Sequence, residues 1–194
     1  MSGYYDPYPR LLLSRPLVIA GQIGCGSRRV GRALTARTGL PFAEVDRLIE
    51  HEAGCSLAQI AAKKGPDRVA RWSLAVIERL TTQRPYNLIV LDSAWPPAAS
   101  VKPLLRKLDF VHLQREPAFL LERFDNERRR TGEWILNGLS SNEESADLFA
   151  PLHDRRLLLL REAQILLEAG TQDELSAAEL LLDSLEATVG AMPL

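Results

Sequence analysis

Short apolar runs alternate with amphipathic stretches along most of this chain. Leu17-Val18-Ile19-Ala20 ends at Gly21, the pattern of a short strand buried on both faces of a parallel sheet. Leu88–Leu91, Phe110–Leu113 and Ile165–Leu167 repeat it, and Pro41–Asp46 predicts a further strand with a polar end. Between these runs the period changes to that of a helix. Val30, Ala33, Leu34 and Arg37 predict a helix over 28–38, ended by Gly39 and Pro41. Ser56-Leu57-Ala58-Gln59 is a capping box for a helix that stops at Gly65. Pro66 starts the next helix, whose stripe of Val69, Trp72, Val76 and Leu80 reads as core. Helices are also predicted over 98–108, 117–128 and 152–161. The last covers 171–185, with Thr171 and Glu174 as its capping box. Strands alternating with helices mean an α/β domain whose parallel sheet is joined by right-handed crossovers.

Three segments fall outside this rhythm. Residues 1–15, with Tyr4, Tyr5, Tyr8, Pro7 and Pro9, read as an irregular extension. Residues 128–148 are polar and aperiodic, a lid-like insertion, and 187–194 form a tail. The domain proper therefore spans 16–186, and no internal repeat is visible. A length of 194 residues suits one domain with a substantial core.

Charge narrows the partners. The formal net charge is −1, so long-range attraction to nucleic acid or an anionic membrane is not expected. Arg128-Arg129-Arg130 lacks interleaved aromatic residues and is weak evidence for nucleic acid. No apolar run is long enough to span a bilayer, no signal peptide opens the chain, and a cytoplasmic protein is expected. Cys25 and Cys55 do not make a disulfide framework, and His51, His112 and His153 lack metal-ligand spacing.

The chemistry is concentrated in Gly21-Gln22-Ile23-Gly24-Cys25-Gly26-Ser27-Arg28-Arg29. The phosphate-binding P-loop reads Gly-x-x-x-x-Gly-Lys-Ser/Thr. Gly21 and Gly26 have its spacing, but Ser27 takes the lysine position and Arg28 the magnesium-ligand position. Glycines let backbone N–H groups converge on an anion, and a following helix N-terminus adds partial positive charge. Gly21, Gly24, Cys25, Gly26, Ser27, Arg28 and Arg29 are thus the candidate anion-binding residues. Beside a helix N-terminus the Cys25 thiol pKa would fall; the alternative is that Cys25 is a small filler. Asp92, after the run Leu88–Leu91, is a candidate metal ligand or a turn cap.

With these residues in view, the chain resembles the shikimate kinases, small P-loop kinases that phosphorylate shikimate with ATP. The resemblance runs through Gly21–Gly31, Val30-Gly31-Arg32-Ala33-Leu34, Gly39-Leu40-Pro41-Phe42, Leu48-Ile49-Glu50, Ala53–Ile60 and the stretch around Arg155–Gly170. It implies a three-layer P-loop kinase-like fold, with a five-stranded parallel sheet of order 2-3-1-4-5 flanked by helices. It also implies that the loop lysine bridges phosphates and the next Ser/Thr holds magnesium. The family's Asp-x-Asp, organising magnesium and substrate hydroxyls, falls on Glu44-Val45-Asp46. Its Phe-Arg-Arg pattern falls on Val69-Ala70-Arg71, so Ala70 takes the substrate-binding position and Arg71 is left. Its Gly-Gly-Gly falls on the stretch Leu91–Pro96, and its lid pattern Arg-Pro-Leu-Leu is absent near Trp134–Asn137. Its Arg-x-Pro-Leu-Tyr falls on Arg155–Leu159, keeping Arg155 for an anionic ligand. Glu44, Asp46, Arg71 and Arg155 are therefore the candidate ligand-pocket residues.

Two functions follow. The first is a shikimate kinase-like protein with a degenerate loop that no longer phosphorylates shikimate. It would act as a ligand-sensing or protein-interaction pseudokinase whose partner is a small anionic ligand or another protein, and it requires no cofactor. The second is a small-molecule kinase of altered substrate. There ATP and magnesium bind through an atypical loop, with Arg28 or Arg29 supplying the lost charge. A weaker variant gives the Tyr-rich N-terminus a docking role.

Overall fold

The computed structural model describes residues 11–83, 88–131, 154, 156–188 and 192–193. Arg155, residues 132–148 of the lid-like segment, most of the N-terminal extension and half of the tail lie outside the described residues. Leu11–Leu12 (β1), expected as irregular, pairs antiparallel with Met192–Pro193 (β7).

The main sheet contains β2 (Leu17–Gly21), β3 (Phe42–Glu44), β4 (Leu88–Val90), β5 (Asp109–Arg115) and β6 (Ile165–Gly170). All pairings are parallel, and the order is β3-β4-β2-β5-β6. Counted within the sheet, that is 2-3-1-4-5, as expected. Ile19 lies between Val90 and Val111, so β2 is central, and it is buried along its whole length. The helices are α1 (Ser27–Thr38), α2 (Val45–Ala53), α3 (Leu57–Lys64), α4 (Pro66–Gln83), α5 (Ala98–Val101), α6 (Pro117–Thr131), α7 (156–160) and α8 (Glu174–Thr188).

Successive side chains of a strand point to opposite faces, and here each face has its own core. Val18 and Ala20 pack with Ile49 of α2, Ile60 of α3 and Val76 of α4. Leu17 and Ile19 pack with Val30 and Leu34 of α1 and with Ala177 and Leu181 of α8. Three layers result. The loop after β2 emerges at the carboxyl edge of the sheet, where connections leave to either side. That is where open α/β sheets present their binding crevice.

Four local expectations are corrected. The strand predicted over 41–46 stops at Glu44, and Asp46 sits in the first turn of α2. Val45, Leu48 and Ile49 have helical spacing and turn inward there. The helix expected over 98–108 is split into α5 and a 3-10 turn, Leu104–Lys107, around Lys102-Pro103. The cap of α8 is Asp173, not Thr171: its Oδ1 accepts from the N–H of Leu175 (2.9 Å) and of Ser176 (2.8 Å). Trp72 is only half-buried, with Lys64 and Arg68 5.7 and 5.1 Å from its ring centroid. The capping box of α3 forms as read, with Ser56 and Gln59 bonded reciprocally.

Candidate anion-binding site

The loop between β2 and α1 is shaped by its glycines. A Cβ on Gly21 would lie 2.5 Å from the Leu113 carbonyl oxygen and 2.6 Å from Cys25 Sγ, so the chain folds back only because none is there. Gly24 and Gly26 have φ of 83° and 84°, and Gly26 is the N-cap of α1. The Cys25 N–H donates to the Gln22 carbonyl at 3.0 Å and closes the turn.

Two buried arginines hold this turn from outside. Arg115, at the end of β5, donates to three carbonyls: Cys25 (3.1 Å), Ala169 (3.2 Å) and Gln172 (2.5 Å). The β2–α1 loop is thereby fixed to the turn before α8. Arg156 donates to the Gly21 carbonyl at 3.3 Å and lies 4.7 Å from the Trp95 ring centroid. A rigid guanidinium fork suits such multiple acceptors better than an ammonium.

A cavity of about 310 Å³ opens against this loop. Gly24, Gly26, Arg28 and Arg29 form one wall, and Asp92, just after β4, lines it as well. Glu122, Arg123 and Asn126 of α6 form the other wall. The contact is close: a Cβ on Gly24 would come within 2.8 Å of Arg123 Cβ. Arg123 Nη1 donates to Glu174 Oε1 at 2.6 Å, and Arg29 Nη1 approaches the same oxygen at 3.4 Å. Burial opposes ionisation of Glu174, but the Arg123 bond and both guanidiniums overcome it and hold its carboxyl below the ordinary range.

The two residues at the end of the loop motif differ in their surroundings. Ser27 is fully buried, and its Oγ donates to the Leu91 carbonyl at 3.1 Å. It faces the sheet and does not line the cavity. Arg28 does line the cavity, with Nη1 4.0 Å from Glu44 Oε2. Glu44 is also bonded by Arg32 at 3.0 and 2.6 Å and approached by Arg47 at 3.4 Å. One buried carboxylate thus gathers three arginines.

Asp46 accepts from the N–H of Ser93 (2.9 Å) and of Ala94 (3.0 Å), one on each carboxylate oxygen. Burial and then repulsion from Asp92 push its carboxyl up to about 7, against the pull of those N–H donors and Arg156. Cys25 is buried, and desolvation followed by Asp92 lifts its thiol to about 11. The thiol therefore moves opposite to the activation expected from a helix N-terminus; Cys25 fills space over Gly21. Arg71 is exposed on α4 and lines neither this cavity nor the one at Phe42–His51.

The geometry brings the glycines, Arg28, Arg29 and Asp92 together. It leaves Ser27 facing the sheet, and Asp46 and Glu44 engaged inside the protein. Sequence reading missed Arg115, Arg123, Glu174 and Arg156. Glu174 reads in sequence only as a capping residue, and Arg123 lies among other charges on α6 with nothing local to mark it. Among the described residues no group of three or more His, Cys, Asp or Glu could hold a metal ion. Among those residues, too, no helix is long and apolar enough to cross a membrane.

The shikimate kinase family model matches residues 23–186. A shikimate kinase of Caulobacter vibrioides is 27% identical over 174 residues, covering 90% of this chain and 84% of the relative. One from Zymomonas mobilis is 29% identical over 154 residues, covering 76% and 85%. Among solved structures, the shikimate kinase from Acinetobacter baumannii in complex with shikimate superposes with a TM-score of 0.75 at 21% identity, covering 89% of this chain and 93% of that one.

Proposed function

This chain belongs to the shikimate kinase family, and we propose that it keeps the family's fold as an anion-sensing or protein-interaction protein that does not phosphorylate shikimate. The observation that carries the reading is Ser27. It stands where the P-loop lysine belongs, has no charge, and spends its hydroxyl on the Leu91 carbonyl. A preorganised cation on the transferring phosphate is worth several orders of magnitude in rate, and no side chain at that position supplies it. The acceptor side supports the same conclusion. Both oxygens of Asp46 are engaged by Ser93 and Ala94, and Trp95, the next residue, stacks with Arg156. Arg28, Arg29 and Arg123 on the cavity wall support binding of a small anion, with Gly24 and Gly26 beside them. Cytoplasmic placement belongs to this reading as well.

Magnesium, which the family implies, does not fit the loop. The hydroxyl ligand is replaced by Arg28, and Ser27 is turned away. The second reading is a small-molecule kinase of altered substrate. It is favoured by Asp92, a carboxylate sharing the cavity with three arginines. A coupled ADP-release assay with ATP and shikimate tests the first reading: the expected result is no turnover above background. Turnover at about 1–100 per second would refute it. Magnesium-dependent ATP binding in calorimetry, with turnover on another alcohol, would favour the second.

A further inference from the structure

Resting on that reading of the cavity as an anion site, we propose that Arg28 is the loop's built-in counter-cation, so that the cavity takes a phosphate or polyphosphate anion without magnesium. Arg28 occupies the motif position of the metal's hydroxyl ligand. Its guanidinium lines the cavity beside Gly24 and Gly26, within ion-pair reach of Glu44. Glu44 is only 8% exposed, and Arg32 already holds it through two hydrogen bonds. Its other oxygen is buried without a hydrogen bond and faces Arg47 and Arg28 at 3.4 and 4.0 Å. The carboxylate is therefore already compensated by arginine side chains, which a divalent ion would have to displace. Asp92 and Glu122 are the carboxylates on the cavity wall itself. A magnesium ion held by either would stand near a guanidinium of like sign. Once bound to a polyphosphate, magnesium also cancels charge that Arg28, Arg29 and Arg123 recognise. The metal is thus expected to weaken binding or leave it unchanged.

Calorimetry on the full chain with inorganic pyrophosphate and with ADP, each in EDTA and in excess magnesium, tests this. The expected result is binding in EDTA that magnesium leaves equal or weakens several-fold. Arg28→Ala should weaken pyrophosphate binding about tenfold, one charge-assisted contact of about 1.4 kcal/mol, and Arg28→Lys should recover part of it. Circular dichroism verifies that the variants fold. If Arg28→Ala does not fold, Arg28→Lys and the metal comparison on the unaltered chain still decide. Binding that requires magnesium would overturn this inference and leave the anion-site reading standing. Pyrophosphate binding unchanged in a folded Arg28→Ala would also overturn it. Binding of neither probe in either buffer would overturn both.

Discussion

Replacing Asp46 by Asn should change how stability depends on pH. Asp46 is a carboxyl raised from its ordinary 3.8 to about 7, first by burial and then by Asp92. Between about pH 4 and pH 7 the folded protein keeps a proton that the unfolded chain releases. Stability must therefore fall as pH rises through that window. A rise of this size corresponds to about 4 kcal/mol as a ceiling. Relaxation and water entry bring the expected change down to about 2–4 kcal/mol. Asn cannot ionise, so its contribution stays level. It does lose an acceptor: its NH₂ meets one of the Ser93 and Ala94 N–H groups, at a cost of about 1–3 kcal/mol. That cost is the same at every pH and drops out of the slope. Urea unfolding followed by circular dichroism across this range should show the Asp46→Asn variant gaining on the unaltered protein as pH rises, by the amount above. Parallel profiles for the two proteins would refute the assignment of a destabilising, partly buried carboxylate at this position.

Other substitutions probe the walls of the site. Arg115→Lys keeps a charge but loses the fork that bridges Cys25, Ala169 and Gln172, and should cost about 2–3 kcal/mol in urea unfolding. Gly24→Ala places a Cβ against Arg123 at a φ of 83° and should cost about 2 kcal/mol, seen as a lower Tm. Glu174→Gln releases Arg123 and Arg29 from their internal carboxylate. It should tighten pyrophosphate binding about fivefold in calorimetry, the equivalent of about 1 kcal/mol.

The sheet was legible because its strands are continuous apolar runs, and Leu17–Gly21, Leu88–Val90 and Asp109–Arg115 fall where those runs do. The glycine loop was legible by spacing. The start of α2 was not, because Phe42-Ala43-Glu44-Val45-Asp46 is too short to separate a strand from a helix by period. The α8 cap was misplaced because Thr171 and Asp173 are both good caps, and only the folded turn picks Asp173. The far wall of the cavity, Arg123 on α6, comes from about a hundred residues beyond the loop and has no local signature. Arg115 and Arg156 carry no motif that sets them apart in sequence. Their burial became visible only with the carbonyls they satisfy.

One sample can test retention of anion binding without phosphoryl transfer. Phosphorus NMR of ATP with stoichiometric protein, before and after adding shikimate, reports both at once. The ATP resonances should shift or broaden on adding protein and then persist overnight with shikimate present. Appearance of a phosphomonoester resonance together with those of ADP would contradict the loss of transfer chemistry inferred from Ser27.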